Sequence, residues 1–357
     1  MDYLLFFGLS LVLAALFTPV IRSLAHRYGF MDQPRPPRNL HAYPVAKLGG
    51  VAIFASLAVA TAIFWMSGGI DFLIVPEKFI LAIILGALVL VVGGALDDKY
   101  NWPAKYLWIA PVIAALIVVY SGIGVGIKSI SNPFGDPISL NFLVAGAVPA
   151  SAIFIFLWML GMMFTTKFLD GLDGLVAGIG LIAGLTLFAL SLTANVNQPI
   201  TATLAIILVG SLAGYLIYAF HPASIFLGEG GSLLIGFVLG VLSVILGGKI
   251  ATALLVMGIP ILDVAWVITQ RLWSGKSPFI GDRLHLHFKL LDLGFSQKQT
   301  VLILYAISAV FGFTAVFLQS RGKLVALVVL FGLMAALILG VIFAYRKKQR
   351  AAELTTL

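Results

Sequence analysis

Long apolar runs, separated by short polar stretches, organise this chain. From "YLLFFGLSLVLAALF" onward, runs of roughly 20 apolar residues recur, the length an α-helix needs to cross a hydrocarbon core. The apolar positions are continuous and do not alternate, which argues for helices and against the strands of a β-barrel. About eleven candidate spans meet the length criterion. They lie near residues 3–24, 48–67, 78–96, 106–121, 148–166, 175–194, 201–219, 231–247, 250–270, 300–319 and 324–345. The expected fold is an all-α polytopic membrane protein, with residues 1–357 forming a single integral membrane domain. One long connection, "GIGVGIKSISNPFGDPISLNF", carries Asn-Pro and Gly-Asp-Pro turn signals and reads as a turn-rich loop or hairpin. The first run has no basic leader and no small-residue cleavage site, so it reads as a retained span and not as a signal peptide.

Composition strengthens this reading. Hydrophobic residues make up 61% of the chain and charged residues 10%. Soluble domains are roughly 45–50% apolar and about 25% charged, so lipid must solvate most of this surface. There is no cysteine, which removes disulfides, thiolate metal sites and a cysteine nucleophile from consideration.

Charge sets the expected orientation. With the N-terminus outside and eleven alternating spans, Lys78, Lys128, Lys249, Arg321 and Lys323 fall outside, and the rest of the 22 lysines and arginines fall inside. That is the asymmetry of the positive-inside rule. All 5 histidines fall inside as well, as do all acids except Asp2, Asp71, Glu77 and Asp136. The net charge of +8 is thus accounted for by topology, and nucleic acid is not an expected partner.

Five inside segments hold the candidate chemistry, at 25–47, 97–105, 167–174, 220–231 and 271–299. Asp97 and Asp98 end a span, where the helix dipole disfavours negative charge, and so call for a metal or a cationic partner. Read singly they could be solvated surface. In "KFLDGLDGL", Asp170 and Asp173 stand at i and i+3 and would share a face on a helical turn. "GEGGS" places Glu229 in a glycine-rich turn that opens a helix. His285 and His287 would point the same way from an extended loop. Taken together, carboxylates suited to Mg²⁺, basic residues suited to phosphate and glycine-rich helix ends gather at one membrane face. This predicts a polyanionic substrate, a pyrophosphate, handled beside an oily co-substrate. Transport is the alternative class. Intramembrane acids such as Asp263 mark transport pathways, and "GIPILDVAW" suits a discontinuous helix.

The ordered set "KLGG", "LDDKY…PAK", "FLDGLDGL", "IFLGEGGS", "PILDVAW" and "GKSPFIGDRLHLH…LLDLGFSQ" resembles the polyprenyl-phosphate N-acetylhexosamine-1-phosphate transferases. These are of the glycosyltransferase 4 type, and the likeness is to the WecA/TagO branch and more distantly to MraY. The resemblance implies transfer of a sugar 1-phosphate from a UDP-sugar to a polyprenyl phosphate, with release of UMP. It implies Mg²⁺, a multi-pass inner (plasma) membrane enzyme with its site on the cytoplasmic face, and admits a homodimer. Carried over by motif, Asp97, Asp98, Lys105, His285 and His287 are the catalytic candidates. His41, Lys47, Lys167, Asp170, Asp173 and Arg283 are the substrate-binding candidates, and Asp97, Asp98 and Glu229 the metal candidates.

The chain departs from that pattern at three places. Lys167 stands where the family has Asn, Glu229 where it has Asp, and Phe288 where it has the last histidine of His-x-His-His. In the family, that Asn and that Asp hold the metal. An ammonium cannot ligate Mg²⁺. The expectation is that Lys167 and Glu229 pair, with the lysine charge taking part of the metal's place. The outcome could be a metal-site-altered transferase, or a homologue that binds substrate without turnover.

Overall fold

The computed structural model describes residues 2–34, 43–70, 75–124, 127, 129–130, 138–144, 146–246, 250–275, 284–318, 322–323, 325–333, 335–336, 339–340 and 343–344. Each apolar run up to residue 317 forms helix. The first is α1 (Tyr3–Tyr28), where Asp2 caps the N-terminus by accepting from the Leu5 amide and left-handed Gly29 ends the helix. Next come two short strands, β1 (Met31–Asp32) and β2 (Val45–Lys47), then α2 (Gly49–Met66), α3 (Glu77–Tyr100) and α4 (Ile109–Ser121). Small antiparallel ladders follow, β3 (Ser129–Ile130) with β4 (Ile138–Ser139) and β5 (Leu143–Val144) with β6 (Val148–Pro149). The first ladder lies in the connection that the turn signals mark out, and the second lies just beyond it. The chain continues as α5 (Ala150–Leu169), α6 (Leu175–Ser191), α7 (Pro199–Ala219), β7 (Ile225–Phe226) and α8 (Gly228–Ile245). It then forms α9 (Ile250–Val256), α10 (Gly258–Trp273), α11 (Leu286–Leu293) and α12 (Gln297–Phe317).

Among the described residues, seven helices are long and apolar enough to cross a membrane: α1, α2, α3, α5, α7, α8 and α12. The pair α9 and α10 makes an eighth if taken as one span, bent by 77°. The span expected near 250–270 is thus a broken one, as the "GIPILDVAW" segment suggests. Pro260 has no N–H to donate, and its ring crowds the carbonyl four residues back, at Val256, where α9 ends. The runs near 106–121 and 175–194 form shorter apolar helices, α4 of 13 residues and α6 of 17. Pro103 interrupts the approach to α4, and left-handed Gly174 delays the start of α6. The run near 324–345 lies partly outside the described residues.

The candidate segments come together at one end of the bundle. In a three-stranded sheet ordered β1-β2-β7, β1 is antiparallel and β7 parallel to β2. It ties the C-terminal end of α1 to the N-terminal ends of α2 and α8. Helices α7 and α8 are the most enclosed of the spans. Where α8 begins, the backbone of Gly230 abuts Gly94 of α3, and that of Gly231 abuts Gly50 of α2. Small residues at such crossings let helix backbones approach closely where lipid offers no hydrophobic drive. These contacts carry the α3 C-terminus and the α8 N-terminus to the same point. Nearby, the Tyr305 hydroxyl of α12 donates to the Gly174 carbonyl and docks the start of α6.

Candidate active site

The paired acids sit on the last turn of α3. Asp98 is almost wholly buried: its Oδ2 accepts from the Glu229 amide at 3.0 Å, and its Oδ1 lies 3.7 Å from Lys47 Nζ. Lys47 also pairs with Asp32 at 3.0 Å. Burial opposes the Lys47 charge, but Asp98 first and then Asp32 more than offset it, and its pKa is raised. The unfavourable end of the α3 dipole is thus answered by a lysine and by a backbone amide of the α8 first turn. Gly228 takes φ +73°, and a Cβ there would strike Asp98 Oδ2, so glycine is needed both for the turn and for the contact. Asp97 points elsewhere. Its Oδ1 caps the amide of Trp102 at 2.9 Å.

Asp170 and Asp173 do not share a helical face. Helix α5 ends at Leu169 and α6 starts at Leu175, and the two acids occupy the turn between, where Gly171 and left-handed Gly174 interrupt the helix. They serve different neighbours. Asp173 Oδ2 lies 2.7 Å from His221 Nδ1 and accepts from the Ala223 amide at 3.1 Å. Asp170 keeps an open face to water while protein surrounds it on the other sides. Burial, then the charges of Glu229, Asp98 and Asp173, raise its pKa to about 8.

The histidines reach the same turn. His285 is the N-cap of α11 and His287 lies within that helix, so they do not occupy an extended loop. Their rings nevertheless stack, 5.5 Å apart and within 8° of parallel. The His287 ring packs directly over Gly171, where a side chain would collide with it. Asp263 of α10 holds this pair: its Oδ2 lies 2.8 Å from His285 Nδ1, and its Oδ1 accepts from the Leu286 amide at 2.8 Å.

Lys167, on the last turn of α5, forms an ion pair with Glu229 at 2.7 Å. The pair sits with Asp97 at the polar end of a cavity of about 400 Å³. The rest of the cavity is apolar, formed by α3 residues such as Leu88 and Val92, by Trp102 and Tyr106, and by Ile113 of α4. Three charged side chains thus share one cavity with an otherwise apolar wall.

The Mg²⁺ implied by the resemblance fits these residues poorly. Asp98 and Asp173 are committed to Lys47 and His221, and Glu229 to Lys167. Among the described residues, no group of three or more His, Asp or Glu is placed to hold a metal. A divalent ion 4 Å from the Lys167 ammonium would be opposed by roughly 8 kcal/mol at an effective dielectric of 20.

Of the sequence candidates, Asp97, Asp98, Lys47, Lys167, Asp170, Asp173, Glu229, His285 and His287 thus lie on adjoining turns at one end of the bundle. Lys105 is exposed in a single 3-10 turn (Ala104–Tyr106), its ammonium 5.0 Å from the Tyr106 ring centroid, and it does not line the cavity. His41 and Arg283 lie outside the described residues. Sequence reasoning gave no role to His221, Asp32 or the aromatic wall of Trp102 and Tyr106. The signal for His221 was its position beside a proline at a span end, in the segment that also carries Glu229.

The glycosyl transferase family 4 model matches residues 80–247, the stretch from α3 through α8. The chain is 30% identical over 332 residues to a Bacillus subtilis protein described as a probable undecaprenyl-phosphate N-acetylglucosaminyl 1-phosphate transferase, covering 91% of this chain and 87% of that one. It is 29% identical to a Mycolicibacterium smegmatis decaprenyl-phosphate N-acetylglucosaminephosphotransferase, covering 86% of this chain and 80% of that one. A phospho-N-acetylmuramoyl-pentapeptide-transferase of Desulforudis audaxviator is 26% identical, over 85% and 94% of the two chains. The chain belongs to glycosyl transferase family 4.

Proposed function

We propose that the protein transfers a sugar 1-phosphate, N-acetylhexosamine 1-phosphate, from a UDP-sugar to a polyprenyl phosphate and releases UMP. The reaction would be the first membrane step of a cell-envelope glycan, at the cytoplasmic face of the plasma membrane. The observation that carries this reading is the cavity beside α3 and α4, whose wall is apolar apart from Asp97, Lys167 and Glu229. A phosphate on a long hydrocarbon matches both parts. The names of the relatives supply the substrate classes.

In this reading an oxygen of the lipid phosphate attacks the β-phosphorus of the UDP-sugar. A new P–O bond joins the two phosphates, and the bond from the β-phosphorus to the bridging oxygen breaks. UMP leaves with that oxygen and its electron pair. Asp97, at the head of the cavity with one oxygen held by Trp102, accepts the proton of the lipid phosphate. Asp98 holds Lys47 and the start of α8 in place. Asp170 and Asp173 line the nucleotide end, and His285 and His287, with Arg283, meet the pyrophosphate. Lys105 and the loop carrying His41 add positive charge. Little covalent chemistry falls to the protein in phosphoryl transfer, so positioning and charge neutralisation do the catalysis. No step here runs through a resident ion, because the Lys167–Glu229 pair does not suit one.

Transport is disfavoured by the gathering of the acids at one end of the bundle. The test is incubation of purified protein with UDP-N-acetylglucosamine and polyprenyl phosphate, with UMP as the readout. UMP release that requires both substrates supports the reading. Its absence across a panel of UDP-sugars refutes it.

A further inference from the structure

We propose that Lys167 is a built-in cation that neutralises the reacting phosphates, and that this site turns over without a resident divalent metal; the inference rests on the transferase reading above. Three observations converge on it. First, the ammonium is fixed: Glu229 holds it at 2.7 Å on the last turn of α5, with only 13% of the lysine side chain exposed. Second, it faces the reaction space, lining the head of the apolar cavity with Asp97 and acting on that carboxylate through space. Third, two of the neighbouring carboxylates already have partners within the protein, Asp98 with Lys47 at 3.7 Å and Asp173 with His221 at 2.7 Å.

An ammonium has three N–H donors and no acceptor. Glu229 engages one direction, which leaves donors for oxygens of the lipid phosphate or of the sugar phosphate. Glu229 is itself anchored from below, since its amide donates to Asp98. The lysine charge is therefore positioned before substrate arrives, and catalysis by preorganised charge requires that. In the transfer step Lys167 gains and loses no proton. It stabilises the charge that builds on the phosphoryl oxygens as the bond to the bridging oxygen breaks and the electron pair moves onto UMP. One positive charge replaces two, and a second ammonium, Lys47, stands nearby, 3.7 Å from Asp98.

The experiment uses the purified full-length protein in two parallel measurements. The first is UMP release in excess EDTA. The wild type is expected to keep its rate, and Lys167→Met to lose on the order of 10²–10³-fold, the scale for removing one preorganised donor. Lys167→Arg, which keeps the charge, is expected to recover part of that loss. The second is Mn²⁺ binding followed by electron paramagnetic resonance. The wild type is expected to bind no Mn²⁺ at this site, and the double variant Lys167→Asn/Glu229→Asp to gain a site. Loss of wild-type turnover in EDTA with restoration by Mg²⁺ overturns the proposal. So does stoichiometric Mn²⁺ binding to the wild type that Glu229→Gln removes. If no UMP forms under any condition, the transferase reading fails, and Mn²⁺ binding alone decides whether the lysine has displaced the metal.

Discussion

Placing a methyl group at Gly94 tests how the site is assembled. A Cβ on Gly94 would collide with the backbone of Gly230 and lie 2.9 Å from the carbonyl carbon of Glu229, whereas ordinary contact begins at 3.4 Å. Both obstacles are backbone, so no side chain can swing aside. Helices α3 and α8 must part, at an overpacking cost of about 1–3 kcal/mol. The parting also pulls the Glu229 amide from Asp98, a bond of 3.0 Å to a carboxylate. Losing a hydrogen bond to a charged group adds about 1.5–3 kcal/mol. The total expected for Gly94→Ala is therefore roughly 2.5–6 kcal/mol, enough to lower the thermal midpoint of the detergent-solubilised protein by many degrees. Activity is expected to fall further than stability, because a shift of about 1 Å at a phosphoryl-transfer site costs on the order of 10²-fold. Gly161→Ala is the control. It sits on α5 with nothing within 4 Å of the added methyl, and wild-type behaviour is expected. Gly94→Ala protein with wild-type midpoint and wild-type UMP release would refute the close α3–α8 crossing as the device that sets Glu229 against Asp98.

Other outcomes follow from the same geometry. Asp263→Asn takes the carboxylate from His285, and kcat is expected to fall by about 10²-fold with a shifted pH profile while KM changes little; an unchanged profile would mean that Asp263 only packs. Lys47→Met leaves Asp98 and Asp32 without their cation, and a loss of about 1–3 kcal/mol is expected in the urea or thermal unfolding of the solubilised protein. Asp170 has its folded pKa raised to about 8, above its unfolded value, so its contribution to stability is complete at acid pH and is lost as pH rises from about 4 through 8. The wild-type midpoint is expected to fall across that window and Asp170→Asn to flatten the fall, in a pH series of thermal scans.

The apolar runs announced the helices because lipid imposes an unbroken hydrophobic length, and that signal survives in a single sequence. The Lys167–Glu229 pair was legible from the motifs: a cation and an acid both depart from the family pattern, and their opposite charges point to a pair. Local spacing misled where glycine intervened. Asp170 and Asp173 have the i, i+3 separation of a helical face, yet Gly171 and Gly174 interrupt the helix, so that Asp173 meets His221 while Asp170 stays open to water. Hydropathy alone does not register the break at Pro260, but the Gly-Ile-Pro of "GIPILDVAW" did point to a discontinuous helix there. The cavity was not legible at all, because its wall combines α3, α4 and Trp102, and tertiary packing alone decides which apolar faces leave a gap.

The transferase reading stands or falls most directly on product formation by the purified protein. With UDP-N-acetylglucosamine and polyprenyl phosphate in micelles, UMP and a polyprenyl diphosphate-linked sugar are expected in equal amounts, each dependent on both substrates and abolished by Asp97→Asn. UMP formed without the lipid, or no product from any UDP-sugar while the protein remains folded, would contradict it.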